Sequence, residues 1–252
     1  MLKQGLIILV LILFAFACKK KKDTEPTPEP VPEKTCALTI ELQRYDSLGD
    51  LETDHSGVSV SLSLNGPVVS ISGTTTASGI LNFPNVPARI GVPNIFKSGY
   101  DGAPLMFDLT NSTSYTISGV PVAKVSPFKI QSFTGQFVNK DSITLSFTID
   151  KSIPAGKLLK VAVLTGTNSG ISSSNHFSAD LIFLNTTTVN KYNIALLPSL
   201  KSKLNTLAYG TTFYITAIPV SYGLYQSNLY GGSVVLGDNN YYPSALSYVK
   251  NW

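Results

Sequence analysis

The chain has 252 residues, of which 43% are hydrophobic and only 13% charged, and its formal net charge is +4 at pH 7. Five of the 19 Lys and Arg residues lie within the first 22 positions, which leaves 14 basic residues against 15 acidic ones elsewhere. The remainder is nearly neutral and offers no basic patch, so we expect no nucleic-acid partner. Its richness in Ser, Thr, Val, Ile, Tyr and Gly predicts strands.

The N-terminal element is an apolar run over residues 5–17, preceded by Lys3. The run is 13 residues long, whereas a membrane-spanning helix needs about 20 apolar residues. A basic start followed by a short apolar run with small residues at its end is the pattern of a signal peptide. Residues 1–17 are therefore predicted to be one.

The end of that run reads Ala15-Phe16-Ala17-Cys18 and resembles the lipobox of bacterial lipoproteins. The resemblance implies that Cys18 receives a diacylglycerol on its sulfur and becomes the new N-terminus. Phe16 departs from the small or hydroxylated residue usual there, as is common in Bacteroidetes-like bacteria. The alternative is an ordinary secretory peptide with an incidental Cys. The resemblance implies an outer-membrane lipoprotein, facing either the periplasm or the cell surface.

Residues 18–35 are predicted to tether the folded part to the membrane. Four lysines at positions 19–22 follow the Cys directly, and each basic side chain near an anionic surface contributes about 1 kcal/mol to membrane binding. Residues 23–35 carry prolines at alternate positions from 26 to 32. Because Pro fixes φ and lacks a backbone donor, this segment is predicted to be an extended, semi-rigid spacer.

The second cysteine, Cys36, has no disulfide partner in the chain if Cys18 is acylated. A leftover thiol in an exported protein is usually buried, so we expect Cys36 at the buried start of a first strand; an intermolecular link is the alternative. The two histidines, His55 and His176, stand in no metal-ligand spacing. We therefore expect neither a metal nor a cofactor.

The first part of the folded chain shows alternating apolar and polar residues over 37–44 and 58–64, with three serines facing outward in the second segment. A period of two predicts half-buried strands. Residues 68–72 begin a further strand, and a Ser-Gly turn at 78–79 leads into a short strand that ends at a Pro. The predicted inward side chains are Leu38, Ile40, Leu42, Val58, Val60, Leu62 and Leu64.

Three motifs over residues 36–123 resemble the carboxypeptidase regulatory-like, or prealbumin-like, domain. They are Gly57-Val58-x-Val60, Thr-x-x-x-Gly79-Ile80-x-x-Phe83-x-x-Val86-Pro87 and Lys97-Ser98-Gly99-Tyr100. The resemblance implies a small seven-stranded β-sandwich that is not itself catalytic. The chain departs from the family at residues 88–91, Ala-Arg-Ile-Gly, where the family usually has Gly and an aromatic residue.

A domain boundary is predicted near residues 120–127, and the alternating pattern resumes beyond it. Residues 198–206 are predicted to form one short helix that Ser199 caps. Strands at this spacing suggest an immunoglobulin- or fibronectin III-like sandwich over residues 127–252. The fold class is therefore all-β, with two tandem β-sandwiches behind the signal peptide and the Pro-rich linker. The predicted inward side chains are Ile143, Leu145, Phe147, Ile149, Leu159, Val161, Val163, Phe213, Ile215 and Ala217.

No pattern in the chain supports catalysis, so we predict no catalytic residues and no enzyme. His176 ends a serine-rich stretch, residues 172–176, but no nucleophile-elbow pattern surrounds any Ser. The acidic residues between 46 and 54 lack the spacing, the Gly and the terminal Glu of a calcium loop. We expect a solvated acidic loop there.

Aromatic residues crowd towards the C-terminus, where eight of the 12 tyrosines lie between positions 209 and 248. Exposed aromatic faces can stack on sugar rings, so Tyr241, Tyr242 and Trp252 are candidates for glycan stacking; filling of the sandwich core is the alternative.

Two short motifs suggest modification. Asp46-Ser47-Leu48 and Asp141-Ser142-Ile143 resemble the O-glycosylation sites of exported Bacteroidetes proteins, which makes Ser47 and Ser142 candidates. Chance matching is the alternative, because three-residue patterns are common.

The function predicted from these patterns is a binding or adhesion role at the cell envelope, without catalysis, through a lipid anchor on Cys18. The expected partners are the membrane and either a glycan or another envelope protein. Two alternatives stay open. One is a fimbrial-type structural subunit, and the other is a glycan-binding accessory protein of a nutrient uptake system.

Overall fold

The computed structural model describes residues 32–140, 142–186, 188–195 and 198–251. Within these ranges it contains seventeen strands and one short helix, which confirms the predicted all-β class. The predicted signal peptide and most of the tether lie outside the described residues. No helix within the described ranges is long and apolar enough to cross a membrane.

The first eight strands are β1 (Thr35–Tyr45), β2 (Ser59–Leu64), β3 (Ile71–Thr74), β4 (Ile80–Pro87), β5 (Ile90–Phe96), β6 (Tyr100–Gly102), β7 (Phe107–Asp108) and β8 (Ser114–Lys124). They form two four-stranded sheets, ordered β4-β1-β8-β6 and β3-β2-β5-β7. Both sheets contribute side chains to one core, as in a β-sandwich. The resemblance implied seven strands in this part of the chain. The structure has eight between Thr35 and Lys124, of which β7 has only two residues.

The predicted alternation in β1 and β2 is confirmed. The inward side chains from Leu38 to Leu62 are buried, and Leu64 is partly buried against the same core. Cys36, near the start of β1, is 1% exposed, and burial raises the pKa of its thiol. β1 is hydrogen-bonded on both sides, antiparallel to β4 and parallel to β8.

The predicted Ser-Gly turn before β4 is also confirmed. Gly79 has a φ of +75°, a conformation that glycine adopts without steric cost. A Cβ at this position would lie 2.2 Å from the carbonyl oxygen of Leu42. The turn therefore brings β4 against β1 at a distance that only glycine permits.

The later elements are β9 (Ile130–Asn139), β10 (Ser142–Ile149), β11 (Leu159–Gly166), β12 (Ser178–Leu184), β13 (Thr188–Ala195), α1 (Pro198–Thr206), β14 (Thr212–Val220), β15 (Gly223–Ser227), β16 (Gly232–Leu236) and β17 (Leu246–Val249). Seven of these strands form sheets of three and four, ordered β13-β10-β9 and β12-β11-β14-β17. Both sheets contribute side chains to one core, as in a second β-sandwich; its immunoglobulin- or fibronectin III-like style stays a prediction. All ten predicted inward side chains of β10, β11 and β14 are buried.

The predicted helix over residues 198–206 is confirmed, and Leu200 and Leu204 bury its inner face in the second core. The predicted cap is wrong, because Ser199 lies inside α1. The amide of Leu200 donates instead to Oδ2 of Asp180, at 3.2 Å. A carboxylate on the neighbouring strand β12 therefore supplies an acceptor for the first turn.

The β15–β16 hairpin is inserted between β14 and β17 and is buried on both faces. Val234 and Leu236 lie in the core of the first sandwich. Val235, between them, packs with Ala162 and Ile218 on the outer face of the β11–β14 pair. Because successive side chains of a strand point to opposite faces, one hairpin serves both halves.

The first half of the chain (β1–β8) also contributes to the core of the second (β9–β17). Leu48, from the β1–β2 connection, packs against that second core. The chain from Lys34 onward forms one compact unit. The division into domains at 36–123 and 127–252 stays a prediction, and the two halves share side chains across it.

Candidate functional site

The two histidines are engaged in local hydrogen bonds with the backbone. The amide of Arg44 donates to Nδ1 of His55 at 3.0 Å. Nδ1 of His176 lies 3.1 Å from the carbonyl oxygen of Ser172, within the serine-rich turn. The ring of His55 thus links its own turn to β1, whereas the ring of His176 contacts the serine-rich turn that precedes it.

The acidic residues between positions 46 and 54 are partnered within the protein. The amide of Leu48 donates to Oδ1 of Asp46, and the amide of Ser56 donates to Oδ1 of Asp54; each bond closes a tight turn. The hydrogen bonds from the amide and hydroxyl of Ser56 lower the pKa of Asp54. No group of three His, Cys, Asp or Glu side chains among the described residues is arranged to hold a metal ion. The further partners are Arg44 for Glu52 and Lys157 for Asp50.

The three predicted stacking residues do not share one environment. Tyr241 is 46% exposed, and Nζ of Lys129 lies 5.0 Å from the centre of its ring. Tyr242 is half-buried; its hydroxyl donates to Oδ2 of Asp238 at 3.0 Å and accepts from the amide of Ser173 at 2.8 Å. Trp252 lies outside the described residues, and the stacking role of all three stays a prediction.

Core filling accounts for another member of the tyrosine crowd. The ring of Tyr248 lies 5.0 Å from that of Phe137 and 5.6 Å from that of Phe213, measured between centroids. Burial raises the pKa of Tyr248 to about 12. Aromatic residues in this part of the chain therefore include structural members.

The two predicted glycosylation serines are both half-exposed. Ser47 lies in the turn after β1. Ser142 begins β10 and donates to Oδ1 of Asn139 at 3.2 Å. Asp141 lies outside the described residues, and modification at either serine stays a prediction.

Two carboxylates meet where the first half contacts the end of β16. Oδ2 of Asp101 accepts a hydrogen bond from the amide of Gly237 at 3.0 Å. Asp238, the acceptor for Tyr242, is only 2% exposed. Burial raises the pKa of Asp101, and the neighbouring charge of Asp238 raises it further.

An open cleft of about 490 Å³ lies between β5 and the turn of the β15–β16 hairpin. Its volume is within the range of small-molecule sites. Two aromatic residues line it: Phe96, at the end of β5, is 70% exposed, and Tyr230, in the hairpin turn, is 64% exposed. None of the described lining residues is charged. Its polar side chains are those of Ser59, Ser61, Ser72 and Asn94.

Strand register groups these polar side chains. Ser61 of β2 pairs with Ser72 of β3 on one side and with Asn94 of β5 on the other. Directly paired residues in an antiparallel sheet share a face. Nδ2 of Asn94 also donates to Oγ of Ser63 at 2.7 Å, which holds the amide in place.

Side-chain to backbone hydrogen bonds anchor the hairpin turn on the first half. Oγ of Ser227 donates to the carbonyl oxygen of Pro104 at 2.7 Å and accepts from the amides of Leu229 and Tyr230. The amide group of Asn228 bonds the backbone of Met106 twice, each bond being 2.8 Å long. Tyr230 is thus positioned through its backbone, and its ring is left exposed.

Sequence reasoning missed Phe96 and Tyr230 as a pair, because they lie 134 positions apart in the chain. The available signal was partial: the outward serines of β2 and the tyrosine crowd were both visible. The β15–β16 hairpin carries Tyr230 to the cleft that the β2 serines line, and the placement of that hairpin depends on tertiary packing.

The fold and the cleft thus define an all-β protein with an uncharged cleft flanked by aromatic residues. No protein-family model and no curated protein matches the chain. Among solved structures, it is similar to a DUF3823 family protein from Parabacteroides merdae, at 12% identity and a TM-score of 0.32, over 86% of this chain and 99% of that one.

Two further similar structures are a candidate carbohydrate binding protein from Bacteroides uniformis and the major pilin SpaD from Corynebacterium diphtheriae. The first has 12% identity and a TM-score of 0.32, over 84% of this chain and 98% of that one. The second has 10% identity and a TM-score of 0.30, over 87% and 67%.

Proposed function

We propose that this chain is a lipid-anchored, non-enzymatic binding protein of the bacterial outer membrane. The observation that carries the binding role is the uncharged cleft between β5 and the hairpin turn, with Phe96 and Tyr230 exposed at its walls. The anchoring role is supported by the Ala15-Phe16-Ala17-Cys18 pattern.

The chemistry of the cleft favours binding over catalysis. General acid–base catalysis needs a titratable group within hydrogen-bond reach of the reacting atoms. The described residues that line the cleft include no carboxylate, imidazole, thiol or amine. Hydroxyl, amide and aromatic groups are suited to recognition through hydrogen bonds and surface contact.

The geometry of β1 favours this role over the fimbrial alternative. Strand exchange between subunits requires a strand that leaves its sheet. β1 is the first strand of the described chain, and its hydrogen bonds to β4 and β8 occupy both of its edges. Its removal would open the first core, since Leu38, Ile40 and Leu42 are buried there.

A cysteine substitution tests the anchor. The full chain and its Cys18→Ser variant are expressed in a bacterium that matures lipoproteins, and membrane fractions and intact masses are compared. We expect the native chain to be found in the membrane fraction with the mass of an acylated chain that begins at Cys18. Cys18→Ser should lose both properties. Cys36→Ser is the matched control and should retain both.

A native mass that corresponds to a chain without acyl groups would contradict the anchor. It would not bear on the binding role of the cleft, which is tested by glycan binding to cleft variants.

A further inference from the structure

The chemistry of the cleft specifies a ligand class beyond the proposed binding role. Its polar surface consists of hydroxyls and one amide, contributed by paired positions of three adjacent strands. Such groups both donate and accept hydrogen bonds without carrying charge. They are matched to a ligand that presents many neutral hydroxyls.

The aromatic walls add a second requirement. Phe96 and Tyr230 expose most of their surface in the same cleft. Aromatic rings offer large apolar faces at a small cost in conformational entropy on binding. A ligand that fits them has flat apolar patches of ring size next to its hydroxyls, as the C–H faces of a pyranose do.

The position of Tyr230 is set before any ligand binds. Ser227 and Asn228 fix the hairpin turn to the backbone at Pro104 and Met106. A group that is already held in place loses less conformational freedom on binding. The geometry thus favours a preformed site over one that closes around its ligand.

Charge argues against an anionic ligand. The described lining residues carry no cation. The nearest Lys in the sequence, Lys97, follows Phe96 directly, and its ammonium donates to the carbonyl oxygens of Ser56 and Gly57 at 3.1 and 3.3 Å. It also lies 5.6 Å from the centre of the Tyr100 ring. Its charge is therefore engaged by the β2 and β6 regions.

We propose that this cleft binds a neutral oligosaccharide, whose sugar rings contact Phe96 and Tyr230 and whose hydroxyls bond Ser59, Ser61, Ser72 and Asn94. This inference rests on the proposed binding function and names its ligand class. The proposed site lies at the hairpin turn, away from the predicted Tyr241–Tyr242 surface. There, Lys129 already contacts the ring of Tyr241, and Asp238 accepts a hydrogen bond from Tyr242.

A glycan array with matched aromatic variants tests the proposal. The full chain, purified in detergent, is screened against neutral and anionic oligosaccharides, and the affinity for the best ligand is measured by calorimetry. We expect the native chain to retain neutral glycans. Tyr230→Ala and Phe96→Ala should each weaken the affinity by about tenfold or more, because each removes one aromatic contact.

Tyr209→Ala is the control, since it removes a tyrosine outside the cleft that is 78% exposed and should leave the affinity unchanged. Tyr241→Ala tests the other predicted stacking surface. Circular dichroism and the urea midpoint of each variant establish that it is folded. Unchanged affinity in folded Tyr230→Ala and Phe96→Ala would overturn the site. So would a loss of binding that appears in Tyr241→Ala alone.

Retention of anionic glycans only would overturn the ligand class. Retention of no glycan by the folded native chain would also overturn it, whereas the membrane fraction and acylated mass of the native chain report on the anchor independently. The two failures are therefore distinguishable.

Discussion

The hairpin turn and the segment after β16 each present a tyrosine near the surface, and the two are held in different ways. Tyr230 is positioned through its backbone, because Ser227 and Asn228 bond the first half around it. Tyr242 is positioned through its own hydroxyl, which bonds Asp238 and Ser173.

This difference separates a binding residue from a structural one. A tyrosine whose hydroxyl both donates to and accepts from the protein has little left to offer a ligand, and removing that hydroxyl leaves buried groups unpaired. A side chain placed by main-chain contacts keeps its ring and hydroxyl free. Exposure alone would not distinguish the two tyrosines as sharply as their hydrogen bonds do.

The largest predicted effect on stability follows from removing the hydroxyl of Tyr242. Tyr242→Phe leaves the Asp238 carboxylate and the Ser173 amide each short of one partner, and Asp238 is almost fully buried. We expect a loss of about 1–3 kcal/mol in the free energy of unfolding, measured by urea denaturation. Tyr241→Phe is the matched control and should change it by less than about 0.5 kcal/mol. Equal effects in both would contradict the distinction.

An intermediate effect concerns pH at the same junction. Burial and the charge of Asp238 raise the pKa of Asp101 above its ordinary value of 3.8. As pH rises past that value, the unfolded state loses its proton before the folded state does, so the stability that this carboxyl contributes falls until the pH reaches its folded-state pKa, and the loss persists in full above that pH. We expect Asp101→Asn to lessen the decline of stability over this window, measured as urea midpoints between about pH 3 and pH 7.

Asp108 provides the control of opposite sign. The hydroxyl and amide of Thr110 lower its pKa, so its contribution to stability is present above the ordinary value and is lost as the pH falls through the folded-state pKa. Asp108→Asn should therefore remove the rise in the free energy of unfolding that this carboxylate contributes as the pH increases. A profile in which Asp101→Asn and Asp108→Asn shift stability in the same direction would refute the assignment.

The smallest expected effect on stability is at the hairpin turn. Tyr230→Ala removes an exposed ring and should change the free energy of unfolding by less than about 0.5 kcal/mol, even though it is expected to weaken glycan binding. The same denaturation experiment measures this. A loss above about 1 kcal/mol would show that the ring is structural, as that of Tyr242 is.

Local patterns were reliable wherever one face of an element meets one core. The alternation of Leu38, Ile40 and Leu42 predicted β1, and the spacing of Leu200 and Leu204 predicted α1. They failed at Val234, Val235 and Leu236, where three consecutive apolar residues show no alternation. A strand that is buried on both faces reads as a continuous apolar run, so its partners cannot be inferred from periodicity.

The sequence by itself determined the all-β class, the burial of Cys36 and the near-zero net charge outside the N-terminal lysines, because these follow from composition and from the two-residue period of strands. Only the tertiary structure decided which tyrosines are held by hydrogen bonds within the protein and which expose their rings to a ligand. The amide from which the Tyr242 hydroxyl accepts a hydrogen bond lies 69 positions earlier in the chain, and Tyr230 lines the same cleft as Phe96 only because the hairpin packs between the two sandwiches. Hydrogen-bond partners and cleft walls so distant in sequence are brought together by packing, which no local pattern records.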